Sequence, residues 1–208
     1  MVRILGYGED ALTFWALSRR LDHLLTNLGD STPPSDCLAF FRPSFGRRGG
    51  AGSAQFGEFD WILLTRAYLY LGESKWDKSS EKLVDRELLL RDEQLERHEA
   101  FRFYLKHRAF AFELDWSELR EQGPVRLSNG VVKPIAPEKS TLAENLCAVL
   151  EEIRTYYEGQ EPLVKDILLY LYAAGAGKPA ASAVNGGFTL VPLAYSSRDA
   201  GMPLVRLM

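Results

Sequence analysis

Two consecutive strand-forming segments constrain the fold of this chain most strongly. Residues 59–64 (FDWILL) and 67–75 (AYLYLGESK) are rich in residues that favour strands, and Thr65 and Arg66 between them are placed for a tight turn. Apolar residues occupy both odd and even positions in the two segments, so each strand needs cover on both faces. The pattern therefore predicts a hairpin inside a sheet that other elements enclose.

Helices and strands alternate along the rest of the chain. Apolar periodicity and helix-forming composition predict helices at residues 9–28, 79–108 and 141–157. Gly29 is placed to end the first of these, and Ser140 to cap the last. Further strands are predicted at residues 37–41, 166–173, 187–196 and 203–208, with a small hairpin at 123–134. Pro192 confines the strand that contains it to a sheet edge. This order predicts an α/β or α+β fold with a mixed central sheet flanked by helices.

The bulk properties predict one globular domain over residues 1–208. Hydrophobic residues make up 46% of the chain and charged residues 25%, as is typical of soluble proteins. No apolar run approaches the roughly 20 residues that cross a bilayer, and the acidic Glu9 and Asp10 argue against a signal peptide. Cys37 and Cys147 are too few for a disulfide framework. We therefore expect a cytoplasmic protein with reduced thiols and no membrane partner.

Acidic and basic residues interrupt the two apolar segments. With a turn at Thr65 and Arg66, Asp60 lies opposite Leu71, and Glu73 is its diagonal neighbour on the same face, roughly 7–8 Å away at the backbone. Alternation places Lys75 on that face too. A turn one residue longer would instead send Asp60 to the opposite face from Glu73. The predicted register therefore gives two carboxylates and an ammonium group on one surface.

Such a site suits phosphodiester hydrolysis. Mg²⁺ takes one or two carboxylates together with waters and phosphate oxygens, polarises the phosphoryl group and lowers the pKa of a bound water. A neighbouring lysine can orient or deprotonate that water and offset developing negative charge. The alternative is a solvated Glu/Lys pair on a strand with no catalytic role. The apolar setting favours function, because a buried charge is costly unless it is paired or bound to a metal.

The stretch GEFDWILLTRAYLYLGESKW, residues 57–76, resembles the core motif of the PD-(D/E)xK nuclease superfamily. This superfamily includes type II restriction enzymes and archaeal Holliday-junction resolvases, and the motif spacing is nearest to the latter. Asp60, Glu73 and Lys75 fill the acidic and E-x-K positions, whereas Phe59 replaces the proline that names the motif. The resemblance implies a restriction-endonuclease-like fold with its core at about residues 5–110 and a C-terminal extension at about 111–208 that completes the sheet.

The same resemblance implies a DNA endonuclease that depends on Mg²⁺ or Mn²⁺. Asp60 and Glu73 would bind the metal, and Lys75 would orient or activate the water. The family pattern also implies an acidic residue on the preceding helix that joins the metal shell; Glu9 matches it first and Asp10 second. Gln94 and His98 resemble polar supports on the helix after E-x-K, and the alternative for both is a solvated helix face.

Arginines cluster in the Gly-rich segment RPSFGRRGGAGSAQ, residues 42–55. Arg42, Arg47 and Arg48 could approach a phosphate backbone and bind it bidentately, which makes DNA the expected partner. The alternative is an ordinary surface loop. A homodimer is compatible with the resemblance, since many such enzymes pair to cut two strands.

Two glycine-rich motifs do not fit nucleotide binding. In GYGEDA (residues 6–11) the acidic Glu9 and Asp10 would stand where a pyrophosphate must bind. In AGAGKPA (residues 174–180) Pro179 takes the hydroxyl position of a phosphate loop, and Tyr172 replaces its first glycine. The competing hypothesis is a catalytically inactive nuclease fold used for nucleic-acid binding or assembly. Binding of divalent metal would distinguish it from a nuclease.

Overall fold

The structure is a computed structural model that describes residues 5–45, 57–78, 83–110, 114–176, 179–196 and 204–207. Of the residues predicted to contact nucleic acid, Arg47 and Arg48 lie outside these ranges. The described α-helices are α1 (Gly8–Arg19), α2 (Leu21–Leu28), α3 (Asp92–Tyr104), α4 (Trp116–Glu121) and α5 (Thr141–Tyr156). The described strands are β1 (Leu5–Tyr7), β2 (Leu38–Phe41), β3 (Trp61–Leu64), β4 (Leu69–Trp76), β5 (Leu83–Val84), β6 (Glu87–Leu88), β7 (Val125–Arg126), β8 (Val132–Lys133), β9 (Val164–Ala173), β10 (Ala183–Val184), β11 (Thr189–Tyr195) and β12 (Leu204–Arg206).

The chain divides into two compact units. Unit 1 comprises Met1–Phe41, Asp60–Leu90 and Val164–Met208, and unit 2 comprises Arg42–Phe59 and Arg91–Leu163. Unit 1 is therefore assembled from three separate stretches of sequence, and its described strands include β9 and β11 from the last of them.

Unit 1 contains a mixed five-stranded sheet in the order β11-β9-β4-β3-β2. Strands β2, β3 and β4 form an antiparallel meander, whereas β4, β9 and β11 run parallel to one another. All eight residues of β4 are buried, as the apolar residues at both parities predicted. The predicted mixed α/β fold with a mixed central sheet is confirmed.

Helices α1 and α2 pack on one face of this sheet. Their apolar residues join those of the strands in one hydrophobic cluster that includes Leu12, Trp15, Leu24, Leu25, Trp61, Leu63, Tyr70, Trp76, Leu169, Leu171, Val191 and Leu193. The indole of Trp61 lies directly over Gly72, where a Cβ atom would come within 1.9 Å of the ring. Glycine at that position therefore lets the large side chain lie flat on the neighbouring strand.

The predicted first helix is two helices. The backbone leaves helical geometry at Arg20, with φ −132° and ψ 22°, and resumes at Leu21. Gly29 ends α2 in the left-handed conformation with φ 68°, and its N–H group donates to the carbonyl of Thr26. The predicted end is confirmed, and the break at Arg20 has no proline or glycine that the sequence could have shown.

The helix predicted over residues 79–108 is wrong in its first part. Residues 83–88 form the short strands β5 and β6, which Asp85 and Arg86 join in a turn with positive φ angles of 47° and 68°. The α-helix starts only at Asp92 and continues beyond Tyr104 as a π-helical turn to Ala109. The prediction failed because Leu, Glu and Arg are common in helices. Strand β6 instead pairs in parallel with β10, which is distant in the sequence.

The predicted two-residue turn between β3 and β4 is wrong as well. Leu64 pairs with Leu69 and Trp61 with Gly72, so residues 65–68 form the connection. Thr65 organises it, since its N–H donates to the Tyr68 carbonyl and its hydroxyl accepts from the N–H groups of Ala67 and Tyr68. The register therefore shifts by two positions, which keeps every side chain on its predicted face.

Other predicted elements are confirmed. Strands β2, β11 and β12 lie within the segments predicted at 37–41, 187–196 and 203–208, and β9 contains the segment predicted at 166–173 but begins at Val164. Strand β7 pairs with β8 in the predicted hairpin. The hydroxyl of Ser140 accepts from the N–H of Ala143 at the start of α5. Strand β11, which contains Pro192, stands at the edge of the five-stranded sheet. Within the described residues, no helix has both the length and the apolar character needed to cross a membrane.

Candidate active site

Strand β4 carries two charged residues at its buried carboxyl-terminal end. Glu73 is 1% exposed and Lys75 is 5% exposed. Tyr70 and Trp76 of the same strand belong to the cluster with α1 and α2, so alternation places Glu73 and Lys75 on the opposite face of the sheet. Two charged side chains are thus desolvated side by side on a central strand, a costly arrangement for a purely structural position.

Asp60 lies immediately before β3 and beside these residues. Its Oδ2 atom accepts a hydrogen bond of 2.7 Å from the backbone N–H of Ser74. The observed register, continued by one residue, places Asp60 directly opposite Glu73 rather than diagonal to it. The structure therefore brings Asp60, Glu73 and Lys75 together, with the two carboxylates on adjacent strands.

Glu9 reaches the same region from the first turn of α1. Its Oε2 atom accepts a hydrogen bond of 2.9 Å from the N–H of Trp76, and its Oε1 atom is 3.9 Å from Nζ of Lys75. Asp10, the second candidate, is exposed. These two contacts join the Glu9 side chain to the strand that carries Glu73.

The electrostatics of the cluster are those of crowded carboxylates. Burial, followed by the charge of Glu73, raises the pKa of Asp60 to about 7 from an ordinary value of 3.8, and Glu9 adds to the rise. The Ser74 N–H and the Lys75 ammonium act in the opposite direction but do not cancel the effect. Among the charged groups that act on Asp60, the carboxylates of Glu73 and Glu9 raise its pKa and the ammonium of Lys75 lowers it.

Sequence reasoning missed Trp76 and Tyr170. The indole N–H of Trp76 donates to the hydroxyl of Tyr195 (2.8 Å), which donates to Oδ1 of Asp77 (2.8 Å), so the residue that holds Glu9 is itself fixed. Tyr170 is the partner of Lys75 in the parallel β4–β9 register and is 4% exposed. Burial, together with the charge of Asp77, raises the pKa of Tyr170. Trp76 could have been found from the sequence because it directly follows the E-x-K motif. Tyr170 could be found only from the pairing of β4 with β9.

Gln94 and His98 belong to unit 2. Gln94 is 4% exposed, and its side-chain oxygen accepts from the backbone N–H of Arg91 at the start of α3. His98 is 2% exposed and its ring lies 4.7 Å from that of Phe59. The solvated helix face that the sequence suggested is therefore wrong for these two residues.

The structure describes only Arg42 among the three predicted arginines. Its Nη2 atom lies 2.7 Å from Oε2 of Glu58, so its charge is paired within unit 2. The predicted loop is not wholly exposed, because Phe45 is fully buried against Phe59 and Phe101. Cys37 and Cys147 are half-buried free thiols.

Within the described ranges, no set of three or more His, Cys, Asp and Glu residues is arranged to hold a metal ion. Two carboxylates, those of Asp60 and Glu73, are nevertheless neighbours on adjacent strands. Comparison of the chain with family models, with curated proteins and with solved structures gave no match.

Proposed function

We propose that this protein is a metal-dependent nuclease that hydrolyses phosphodiester bonds in DNA, with a restriction-endonuclease-like fold. The observation that carries the proposal is the position of Asp60 opposite the buried Glu73 and near the buried Lys75. Burial, followed by the charge of Glu73, raises the pKa of Asp60 to about 7. Perturbed carboxyl groups beside a specific charge partner are typical of catalytic sites. The helix, meander and E-x-K strand that hold these residues also fit the resemblance to the PD-(D/E)xK superfamily.

The donor set fits a hard divalent cation, Mg²⁺ or Mn²⁺. Asp60 and Glu73 offer oxygen ligands from adjacent strands, and one or two carboxylates suffice when waters and phosphate oxygens complete the shell. The negative charge of Glu73 and Glu9, which acts on Asp60, is charge that such a cation would neutralise. When bound, the cation supplies Lewis-acid activation of the phosphoryl group and of water.

Lys75 and Glu9 have complementary roles in this proposal. The Lys75 ammonium orients the attacking water and offsets negative charge as the phosphodiester bond breaks. Glu9 lies 3.9 Å from that ammonium and is held by the Trp76 N–H, so it positions Lys75 at the end of β4. Its direct participation in metal binding stays a prediction from the family resemblance.

A cleavage assay with matched variants tests the proposal. Purified protein with Mg²⁺ or Mn²⁺ is incubated with duplex, single-stranded and branched DNA. We expect metal-dependent cleavage that Glu73→Gln and Lys75→Met each reduce by roughly 10²–10³-fold, the effect of removing one charge-stabilising group. Both substitutions preserve side-chain size. Glu144→Gln and Lys139→Met, at exposed positions, are the matched controls and should retain full activity.

Metal binding is measured separately, by the shift of melting temperature with Mg²⁺ or Mn²⁺. A cation that binds only the folded protein raises its stability, and Glu73→Gln should remove the shift. No shift together with no cleavage of any DNA would reject the nuclease and favour a fold used for binding or assembly. Full activity of Lys75→Met would reject the role given to Lys75.

A further inference from the structure

A groove lies between helix α2 and strand β11 of unit 1. It encloses about 530 Å³, and its lining includes Arg20, His23 and Asn27 from the helical side and Tyr172, Pro192 and Ala194 from the strands. This α2–β11 groove lies within the size range of small-ligand sites. Among the residues that the structure describes in its lining, none is a carboxylate.

The helical side of the groove is a stripe of hydrogen-bond donors. His23 and Asn27 lie four residues apart on one face of α2, and Arg20 immediately precedes the helix. The amide of Asn27 donates to the carbonyl of Pro192 and ties the stripe to the strand. The groove therefore has a guanidinium, an imidazole and an amide on its helical side.

Arg20 has unused donor capacity. Its Nε atom is buried and has no hydrogen-bond partner within the described part of the chain. The guanidinium carbon lies 5.7 Å from the centre of the Trp15 ring, a cation–π contact that holds the side chain but satisfies none of its N–H groups. Because Nε is closed to solvent, a ligand in the groove would meet the terminal Nη groups, and their planar fork matches two oxygens of a phosphate group.

The groove occupies a favourable place in the sheet. Tyr172 is near the carboxyl end of β9 and Ala194 near that of β11, and the two residues are register partners in parallel strands. Ligands of open sheets with parallel strands bind in crevices outside these carboxyl ends. The Glu73–Lys75 segment lies at the same end of β4, the third parallel strand.

We propose that the α2–β11 groove binds a phosphate group, carried by a nucleic-acid backbone or by a free nucleotide. Arg20 supplies the charge and a forked pair of N–H donors, and His23 adds an imidazole N–H. An acceptor-rich anion complements this wall because it brings oxygens and meets no carboxylate among the described lining residues. The proposal does not require that the protein be a nuclease.

Imidazole NMR signals of His23 report on binding at this groove. The protein carries Glu73→Gln so that no DNA is cut, and metal is omitted. Inorganic phosphate, adenosine monophosphate and a short DNA oligonucleotide are titrated at constant ionic strength, with chloride as the reference anion. We expect a saturable shift of the His23 signals, with those of His98 and His107 unchanged.

Phosphate binding by two arginine variants distinguishes a specific site from general attraction between charges. Arg20→Gln should weaken phosphate binding by about tenfold or more, the effect of losing a charge-assisted hydrogen bond. Arg126→Gln, at an exposed position in β7, is the matched control and should bind normally. His23→Ala, at an exposed position, provides a second test by calorimetry if Arg20→Gln does not fold.

The source of the phosphate follows from competition. Displacement of inorganic phosphate by the oligonucleotide identifies the backbone as the ligand, whereas binding of adenosine monophosphate without the oligonucleotide identifies a free nucleotide. A shift that does not saturate, or one that Arg20→Gln and Arg126→Gln alter equally, overturns the proposal. Absence of cleavage by the wild-type protein together with saturable binding at the groove would count against the nuclease alone.

Discussion

Opposing interactions act on the carboxyl group of Asp60. The hydrogen bond from Ser74 favours the ionised form, while burial and the charges of Glu73 and Glu9 oppose it more strongly. The folded protein therefore binds a proton at Asp60 up to about pH 7, whereas the unfolded chain releases it near its ordinary value of 3.8. Ionisation of this one residue links the chemistry of the site to the stability of the fold.

Stability in the absence of metal should accordingly depend on pH through Asp60. Between about pH 4 and pH 7 the folded state holds more protons than the unfolded state, so stability falls as the pH rises through this window. Asp60→Asn keeps an acceptor for the Ser74 N–H and removes the titration. We expect the melting temperature of the wild-type protein to fall more steeply with pH than that of Asp60→Asn. Asp22→Asn, at an exposed position on α2, should behave as the wild type; identical slopes for all three proteins would contradict the prediction.

At the scale of elements, the β3–β4 connection depends on a carboxylate from a distant loop. Asp30 is 7% exposed, and its Oδ2 atom accepts from the hydroxyls of Thr65 (2.7 Å) and Tyr70 (2.9 Å). Its Oδ1 atom accepts from the backbone N–H of Thr32, and the Thr32 hydroxyl accepts from the backbone N–H of Arg66. This network, which we call the Asp30 network, holds residues 65–68 in place and with them the register that sets Asp60 opposite Glu73.

Asp30→Asn should weaken the protein in a manner that depends on pH. Burial alone would raise the pKa of Asp30, but the hydrogen bonds from Thr65, Thr32 and Tyr70 outweigh it and lower the pKa. The ionised group therefore contributes stability above its ordinary pKa, and this contribution is lost as the pH falls through the lowered value. We expect a deficit of about 1.5–3 kcal/mol in the free energy of unfolding at neutral pH, which shrinks in acid. Urea denaturation at a series of pH values measures it, and a deficit that stays constant into the acid range would contradict this explanation.

Local patterns predicted the elements better than their joints. The Ser140 cap, the Gly29 end and the edge position of Pro192 follow from the residue itself and its immediate neighbours. The turn at residues 65–68 does not, because Thr65 takes its partner from Asp30, which is 35 residues away. The candidate site was within reach of the sequence because a shift of two residues preserves strand faces, so Asp60, Glu73 and Lys75 meet despite the wrong turn. Tyr170 was out of reach because parallel pairing joins segments that the sequence does not relate.

At the scale of the whole molecule, unit 1 is a discontinuous assembly. Strand β4 pairs with β9 along its full length, from Leu69 with Val164 to Trp76 with Leu171. The strand that carries Glu73 and Lys75 therefore depends on residues that follow the whole of unit 2 in the chain. The first 110 residues contain the motif but only one of the two strands that pair with β4.

A fragment of residues 1–110 should therefore fail to fold cooperatively. Removing β9 and β11 exposes one edge of β4 and uncovers apolar residues of α1 and α2 that pack on those strands. We expect the full chain to give a cooperative urea transition by circular dichroism and the fragment to give none. In the full chain, amides of β4 and β9 should be among the slowest to exchange with solvent. A fragment with a sharp transition would show that β9 is dispensable for the fold.

The edge strand β11 has a consequence for how copies of the protein behave when crowded together. An open edge offers free N–H and carbonyl groups to any extended chain that approaches. Pro192 removes one of those donors, and its carbonyl already accepts from the side chain of Asn27. A foreign strand laid along this side would find its hydrogen-bonding ladder broken at the middle. The ring of Pro192 and the side-chain amide of Asn27 thus protect the β11 edge of the sheet against strand addition and fibrous aggregation.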